Sequence, residues 1–179
     1  MRVFGSLNIF AGGHNFFDRG VIYGDKAHWQ SICYHNGKLV PISSIKTNYN
    51  GMMNPSIPEM QDYQIAILKE FVQKYPEMDG LIFDRVRYDG ITSDFSDLSR
   101  KQFEEYAGVT VENFPEDILS WYDEDGNLRD SWVPGKYGKK WIEWRASVIH
   151  DFVERTHREL NAIKPDLIIG DYTGAWYPT

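Results

Sequence analysis

The stretch Asp79-Gly80-Leu81-Ile82-Phe83-Asp84-Arg85-Val86-Arg87-Tyr88-Asp89 decides how the chain is read. Leu81, Ile82 and Phe83 form an apolar run with no polar residue between them. The run is too short for a helix and suits a strand covered on both faces. Asp84 ends it, and Arg85 and Arg87 follow closely. In a parallel barrel the carboxyl ends of the strands carry the chemistry, and the opposite ends carry stability. A carboxylate at such an end is either a catalytic group or half of a structural ion pair.

Two other segments read as strands. Val3 to Phe10 (VFGSLNIF) breaks at Ala11-Gly12-Gly13, and Leu167-Ile168-Ile169-Gly170-Asp171 runs into Tyr172-Thr173-Gly174-Ala175-Trp176-Tyr177. Ser56-Ile57-Pro58-Glu59 is a capping-box pattern with proline in the first turn. It opens a helix whose stripe is Ile67, Leu68, Phe71, Val72 and Tyr75, stopped by Pro76. A second long helix, from about Lys139 to Ile163, holds its period through Trp141, Val148, Ile149, Phe152, Thr156, Leu160 and Ile163. Lys164-Pro165 ends it.

The order strand, helix, strand, helix, strand implies parallel strands joined by right-handed crossovers. Both helix-to-strand links are short. Both strand-to-helix links are far longer than the usual few residues. The first, residues 11–55, shows no sustained period and holds a hairpin turn at Asn36-Gly37. The second holds a short helix, Leu98 to Ala107, closed by Gly108. Asp123-Glu124-Asp125-Gly126-Asn127 lacks the later ligands of a calcium loop and reads as a tight turn. Length invested only at the carboxyl ends of strands is how (β/α)8 enzymes are built. A doubly wound sheet shows the same bias more weakly, and no Gly-rich phosphate loop follows any strand. A closed barrel needs about 250 residues, and this chain has 179. The expectation is one partial (β/α)8 TIM barrel over residues 1–179, with strands missing before Met1 and after Thr179.

The formal charge of -7 argues against a nucleic-acid partner, because phosphate binding needs a basic face. No window resembles a membrane span, and the first residues lack a secretory-signal pattern. Cys33 stands alone, which excludes a disulfide framework and a cysteine metal site and reads as a small buried or semi-buried thiol. His14, His28, His35, His150 and His157 show no H-x-H or H-x-x-x-H spacing, so neither a metal site nor a cofactor is expected. Aromatic content is the outlier, at 15%. Many of these rings sit in loop-like stretches, among them Phe16, Phe17, Tyr23, Trp29, Tyr34, Tyr49, Trp121, Tyr122, Trp132, Trp176 and Tyr177. Such rings either stack on sugars or pack long loops onto the body.

Asn54-Pro55, Pro58-Glu59, Asp62-Tyr63 and Asp79-Gly80-Leu81-Ile82-Phe83-Asp84, with Arg87-Tyr88, resemble the glycosyl-hydrolase-like 10 family. Trp141 to Trp144-Arg145 and Lys164-Pro165 also fit its pattern. The resemblance covers residues 3–10, 54–89 and 141–177. It implies a TIM-barrel glycosidase distantly similar to the α-amylase group, with a carbohydrate substrate and an extracytoplasmic parent protein. The three strands would be barrel strands three, four and five. Asp84 falls where that group has its nucleophile, and Asp171 where it has its acid/base carboxylate. The chain departs from the pattern at Arg85, where a second Asp is frequent, at Asp89, where Pro is frequent, and at Asp171, where the α-amylase group uses Glu.

Glycoside hydrolysis needs two carboxyl groups flanking the bond, one of them with raised pKa. Asp84 and Asp171 end different strands at the same edge and are the candidates. Their alternatives are an ion pair with Arg85 or Arg87, and a loop carboxylate capping backbone N–H groups. Asp89 reads as a partner for a nearby arginine. Arg87 and Tyr88 would bind sugar hydroxyls or brace the loop. Asn8 binds a hydroxyl or forms the turn after its strand. His14 is a sugar ligand or an ordinary loop histidine. Trp176 stacks on a sugar or packs its loop. The rival to a hydrolase is a non-catalytic carbohydrate-binding barrel, and Arg85 is the residue that supports it. Three strands of a barrel leave two open edges, so self-association is expected.

Overall fold

The computed structural model describes residues 1–172. In chain order the elements are β1 (Phe4–Asn8), β2 (Ala11–His14), β3 (Arg19–Gly20), β4 (Ile32–His35), β5 (Lys38–Pro41), β6 (Asn50–Met52), α1 (Pro58–Lys74), β7 (Gly80–Asp84), α2 (Asp97–Ala107), β8 (Leu119–Tyr122), β9 (Leu128–Pro134), α3 (Gly138–Asn161) and β10 (Ile168–Asp171). The central sheet has the order β1-β7-β10 and both pairings are parallel. That is the arrangement expected from the three apolar runs. It makes the chain a mixed α/β structure around a three-stranded parallel sheet.

The sheet has two unlike faces. Gly5, Leu7, Leu81, Phe83 and Ile169 share one, by register and strand alternation. A main core forms on it, joining Leu81 and Phe83 to Leu68 and Val72 of α1 and to Phe152 and Leu160 of α3. Each such side chain contributes roughly 1.5–3 kcal/mol. Gly5 is required there, because a Cβ would meet the Phe71 ring at 2.7 Å and the Met78 sulfur at 2.8 Å. The other face carries Phe4, Ser6, Asn8, Ile82, Asp84, Ile168 and Gly170, and none of its β1 members is buried. β7 was expected to be covered on both faces. Among the described residues it is covered on one.

α1 buries Met60, Ile65, Leu68 and Val72, while Tyr75 stands exposed at its C-cap instead of continuing the stripe. The capping box is not formed either. The N-cap is Ile57, without a side-chain cap. Ser56 is drawn into a buried network, its Oγ 3.0 Å from Tyr88 Oη and 3.3 Å from Ser99 Oγ. α2 is capped as its sequence suggests. Ser96 Oγ accepts from Ser99 N, and Gly108 closes the helix in the left-handed region.

The long connections are ordered. Residues 9–57 hold the β4–β5 hairpin, turned by Asn36 and Gly37 at positive φ, and an antiparallel sheet β3-β2-β6 that the lack of period concealed. The β8–β9 hairpin turns at Asp123, whose carboxylate accepts from the backbone N–H groups of Asp125 and Asn127. A second core joins Tyr34, Phe95, Phe103, Trp121, Trp141 and Trp144. α3 therefore serves two cores: Trp141 and Trp144 pack on the connections, Phe152 and Leu160 on the sheet. Cys33 is buried in the main core, and burial pushes its thiol up to about 12.

Candidate active site at the carboxyl ends of the parallel strands

Asp84 is the last residue of β7 and projects on the uncovered face, in register with Asn8 of β1. Its side chain is 37% exposed. The chain of β1 runs on past the strand and clamps this corner: Ile9 N–H donates to Asp84 O at 2.8 Å and Phe10 N–H to Arg85 O at 3.4 Å. Arg85 takes φ +57°, in the left-handed region that side chains seldom adopt. Its Nε stands 3.9 Å from Asp84 Oδ2. Its Nη2 donates to Tyr49 Oη at 3.0 Å, with the guanidinium 5.5 Å from the Tyr49 ring. That hydrogen bond, then the positive charge of Arg85, lowers the Tyr49 phenol below its ordinary pKa.

His14 ends β2 and opposes Asn50 of β6. It is half-buried, and its ring lies 4.8 Å from Phe17, 5.6 Å from Phe16 and 6.1 Å from Tyr49. Contact thus runs without a break from Asp84 through Arg85 and Tyr49 to His14 and its two phenylalanines. Asn8 lies exposed at the same edge.

The other expected residues are placed differently. Asp171 pairs in register with Phe83, so its position alternates onto the helix-covered face. It lines a cavity of about 220 Å3 with Phe83, Val86, Ile149, Val153 and Ile169. Partial desolvation, and secondly the charge of Asp84, push its carboxyl above the ordinary range. Arg87 is exposed, and its Nη1 donates at 3.1 Å to the carbonyls of Tyr88 and Asp89, bracing the loop. Tyr88 is 6% exposed, with its hydroxyl on Ser56 and its ring 4.2 Å from the Arg145 guanidinium. Asp89 faces Asn48, whose Nδ2 donates to it at 2.6 Å, rather than forming the expected arginine pair. Trp176 lies outside the described residues. His150, Asp151 and Glu154 gather within 4.8 Å, but all three are exposed on α3.

Two buried polar groups escaped the sequence reading. Asp94 is fully buried and accepts from Ile32 N–H at 2.5 Å, Asn54 Nδ2 at 2.8 Å, Ser96 N–H at 3.0 Å and Ser99 Oγ at 2.7 Å. Burial raises its carboxyl above the usual range, and these donors oppose the shift. Arg145 is 9% exposed and donates to Gly90 O at 2.6 Å and Ile91 O at 3.3 Å. Desolvation lowers its pKa to about 10. With Val86, Arg87, Tyr88 and Ile149 it lines a groove of about 450 Å3 beside the loop that follows β7. The signals available were Asn54-Pro55 and Arg145 themselves, both inside the family pattern.

The described residues define a mixed α/β fold: a three-stranded parallel sheet backed by helices, with long ordered connections and a carboxylate at the carboxyl ends of its strands. The chain belongs to the glycosyl hydrolase-like 10 family, whose model matches residues 25–174. It is 28% identical over 183 residues to an S-layer-related protein of Niallia circulans, a match covering 96% of this chain and 11% of that protein. The chain thus spans about a tenth of that relative's length. Its fold is similar to that of the β-galactosidase from Bacillus circulans sp. alkalophilus, with a TM-score of 0.54 at 11% identity, over 84% of this chain and 24% of that one.

Proposed function

We propose that the chain is part of a (β/α)8 glycoside hydrolase acting on an oligo- or polysaccharide, with β1, β7 and β10 as barrel strands three, four and five. Asp84 acts as nucleophile or electrostatic stabiliser, and Asp171 is the acid/base candidate. The observation that carries the reading is the position of Asp84: a strand-end carboxylate on the uncovered face, beside Asn8. The raised carboxyl of Asp171 suits a proton donor. Its register with Phe83 turns it toward the face opposite Asp84, so pairing across one glycosidic bond requires its side chain to reach over the strand end. A family of glycosyl-hydrolase-like proteins and a β-galactosidase fold neighbour support the same class. An S-layer-related relative agrees with a cell-surface parent protein.

A second reading is a carbohydrate-binding barrel without turnover. The register of Asp171 with Phe83, and Arg85 directly after Asp84, favour it. Turnover by wild type and Asp84→Asn on a panel of aryl glycosides and polysaccharides separates the two. The amide is nearly isosteric but cannot act as nucleophile, so hydrolysis predicts a loss of orders of magnitude with the fold kept. Equal turnover of a cleaved substrate removes Asp84 from the mechanism and favours the binding barrel.

A further inference from the structure

Two cavities meet on α3 and share Ile91 and Ile142. The first, of about 450 Å3, is the groove lined by Arg87 and Arg145. The second, of about 280 Å3, is lined by Trp132 of β9 and Trp141 of α3. Along α3 the shared lining runs from Gly138 to Ile149, about 16 Å at the rise of a helix. Its walls are mostly aliphatic and aromatic, and every charged side chain in either lining is a cation: Arg87, Lys139 and Arg145. In a chain of formal charge -7, that is a local reversal of sign. None of the three forms an ion pair among the described residues. Arg145 is buried, and its two Nη atoms are spent on backbone carbonyls. The charge of Asp94 reaches it, but that carboxylate is held by its own donors. Two buried N–H donors, Arg145 Nε and Trp141 Nε1, have no partner among the described residues. A buried donor without an acceptor is costly.

We infer that this groove binds an unbranched aliphatic carboxylate, with its head at Arg145 and its chain running over Ile91 and Ile142 toward Trp132. The inference goes beyond the hydrolase reading and does not rest on it. The occupant follows from charge and shape. A guanidinium already engaged on two carbonyls can still pair with a carboxylate, which needs few donors. A phosphate is more strongly hydrated and would need a more polar lining than these walls supply. The long apolar lining suits a flexible hydrocarbon chain, and Ile142, 51% exposed at the junction of the two cavities, is the surface such a chain would cover.

The test titrates hexanoate, octanoate and decanoate into the full chain at pH 7 by calorimetry. The alcohol of each length serves as the uncharged control. Affinity should rise about fourfold per added methylene, and each acid should bind at least tenfold more tightly than its alcohol. Ile142→Glu sets a carboxylate at the junction and should weaken decanoate at least tenfold, with an unchanged melting temperature because the residue is exposed. Arg145→Gln should bring decanoate down to the affinity of decanol; should that variant fail to fold, the acid-to-alcohol ratio of the wild type and Ile142→Glu decide. Asp84→Asn should bind decanoate as wild type does, whatever it does to turnover. Absence of wild-type binding to decanoate, equal affinity for acid and alcohol, or unchanged binding by Ile142→Glu each overturns the inference.

Discussion

Asp171 stands beside Phe83, not beside Asp84, across the parallel pairing of β10 and β7. The two carboxylates end neighbouring strands, yet alternation sends them toward opposite faces of the sheet. They still sense each other, since the charge of Asp84 is the second cause of the raised Asp171 carboxyl. Replacing Asp84 by Asn should lower the Asp171 pKa and leave it above its ordinary value, because desolvation remains. Carboxyl carbon titration by NMR measures this. No movement on the substitution would show that the two groups do not couple.

A stability effect follows with a definite sign. The folded pKa of Asp171 lies above its unfolded value, so its contribution is fully present below the unfolded pKa and is lost as pH rises through the folded one. Asp171→Asn should remove that loss. Thermal melts of wild type and variant should therefore differ in slope on the acid side of neutrality and run parallel above it.

Asp94 is the group whose removal should cost most. Asp94→Ala leaves the N–H groups of Ile32 and Ser96 and the amide of Asn54 facing a buried void. Unpaired buried donors cost about 1–3 kcal/mol each, and broken buried networks give the large values among point mutants. A loss of about 3 kcal/mol or more is expected by urea denaturation. A loss below about 1 kcal/mol would mean that water or a neighbour repairs the site.

The parallel strands were legible as short unbroken apolar runs such as Leu81-Ile82-Phe83, α3 from its helical period, and the strand order from the family resemblance. The β3-β2-β6 sheet was not, since glycine replaces its side chains. A Cβ on Gly12 would meet Ile22 and Met53 at 2.6 Å, and one on Gly20 would strike the backbone of Gly12 and Gly13. Such strands pack backbone to core and leave no alternation to read. Asp94 was hidden for another reason. Ser93, Asp94 and Ser96 look like a solvated turn, and only the distant Ile32 and Asn54 reveal a buried one. Asp84 was legible as a strand end, but which face it takes depends on pairing. The same pairing separates Asp171 from it.

The uncovered face should make the isolated chain self-associate. Phe4 and Ile168 are 41% and 40% exposed on the outer strands of the sheet. Open strand edges with apolar neighbours template further pairing, and lysine there opposes it. Phe4→Lys/Ile168→Lys should shift sedimentation toward monomer with unchanged helical circular dichroism. A wild-type chain that is monomeric at high concentration contradicts this.

Arg85 offers the sharpest separation of backbone from side chain. At φ +57° a residue with a Cβ costs roughly 1–2 kcal/mol that glycine does not. Arg85→Gly and Arg85→Ala both lose the contacts to Asp84 and Tyr49, but only the alanine keeps the strain. The glycine variant should therefore be the more stable of the two by about 1 kcal/mol. In both, the Tyr49 phenol should titrate higher than in wild type, because the Arg85 hydrogen bond and charge that lower it are gone. Tyrosine-labelled NMR titration follows that ring directly. Equal stability of the two variants would show that the loop relaxes out of the left-handed turn, and an unmoved Tyr49 would show that Arg85 does not link the aromatic cluster to Asp84.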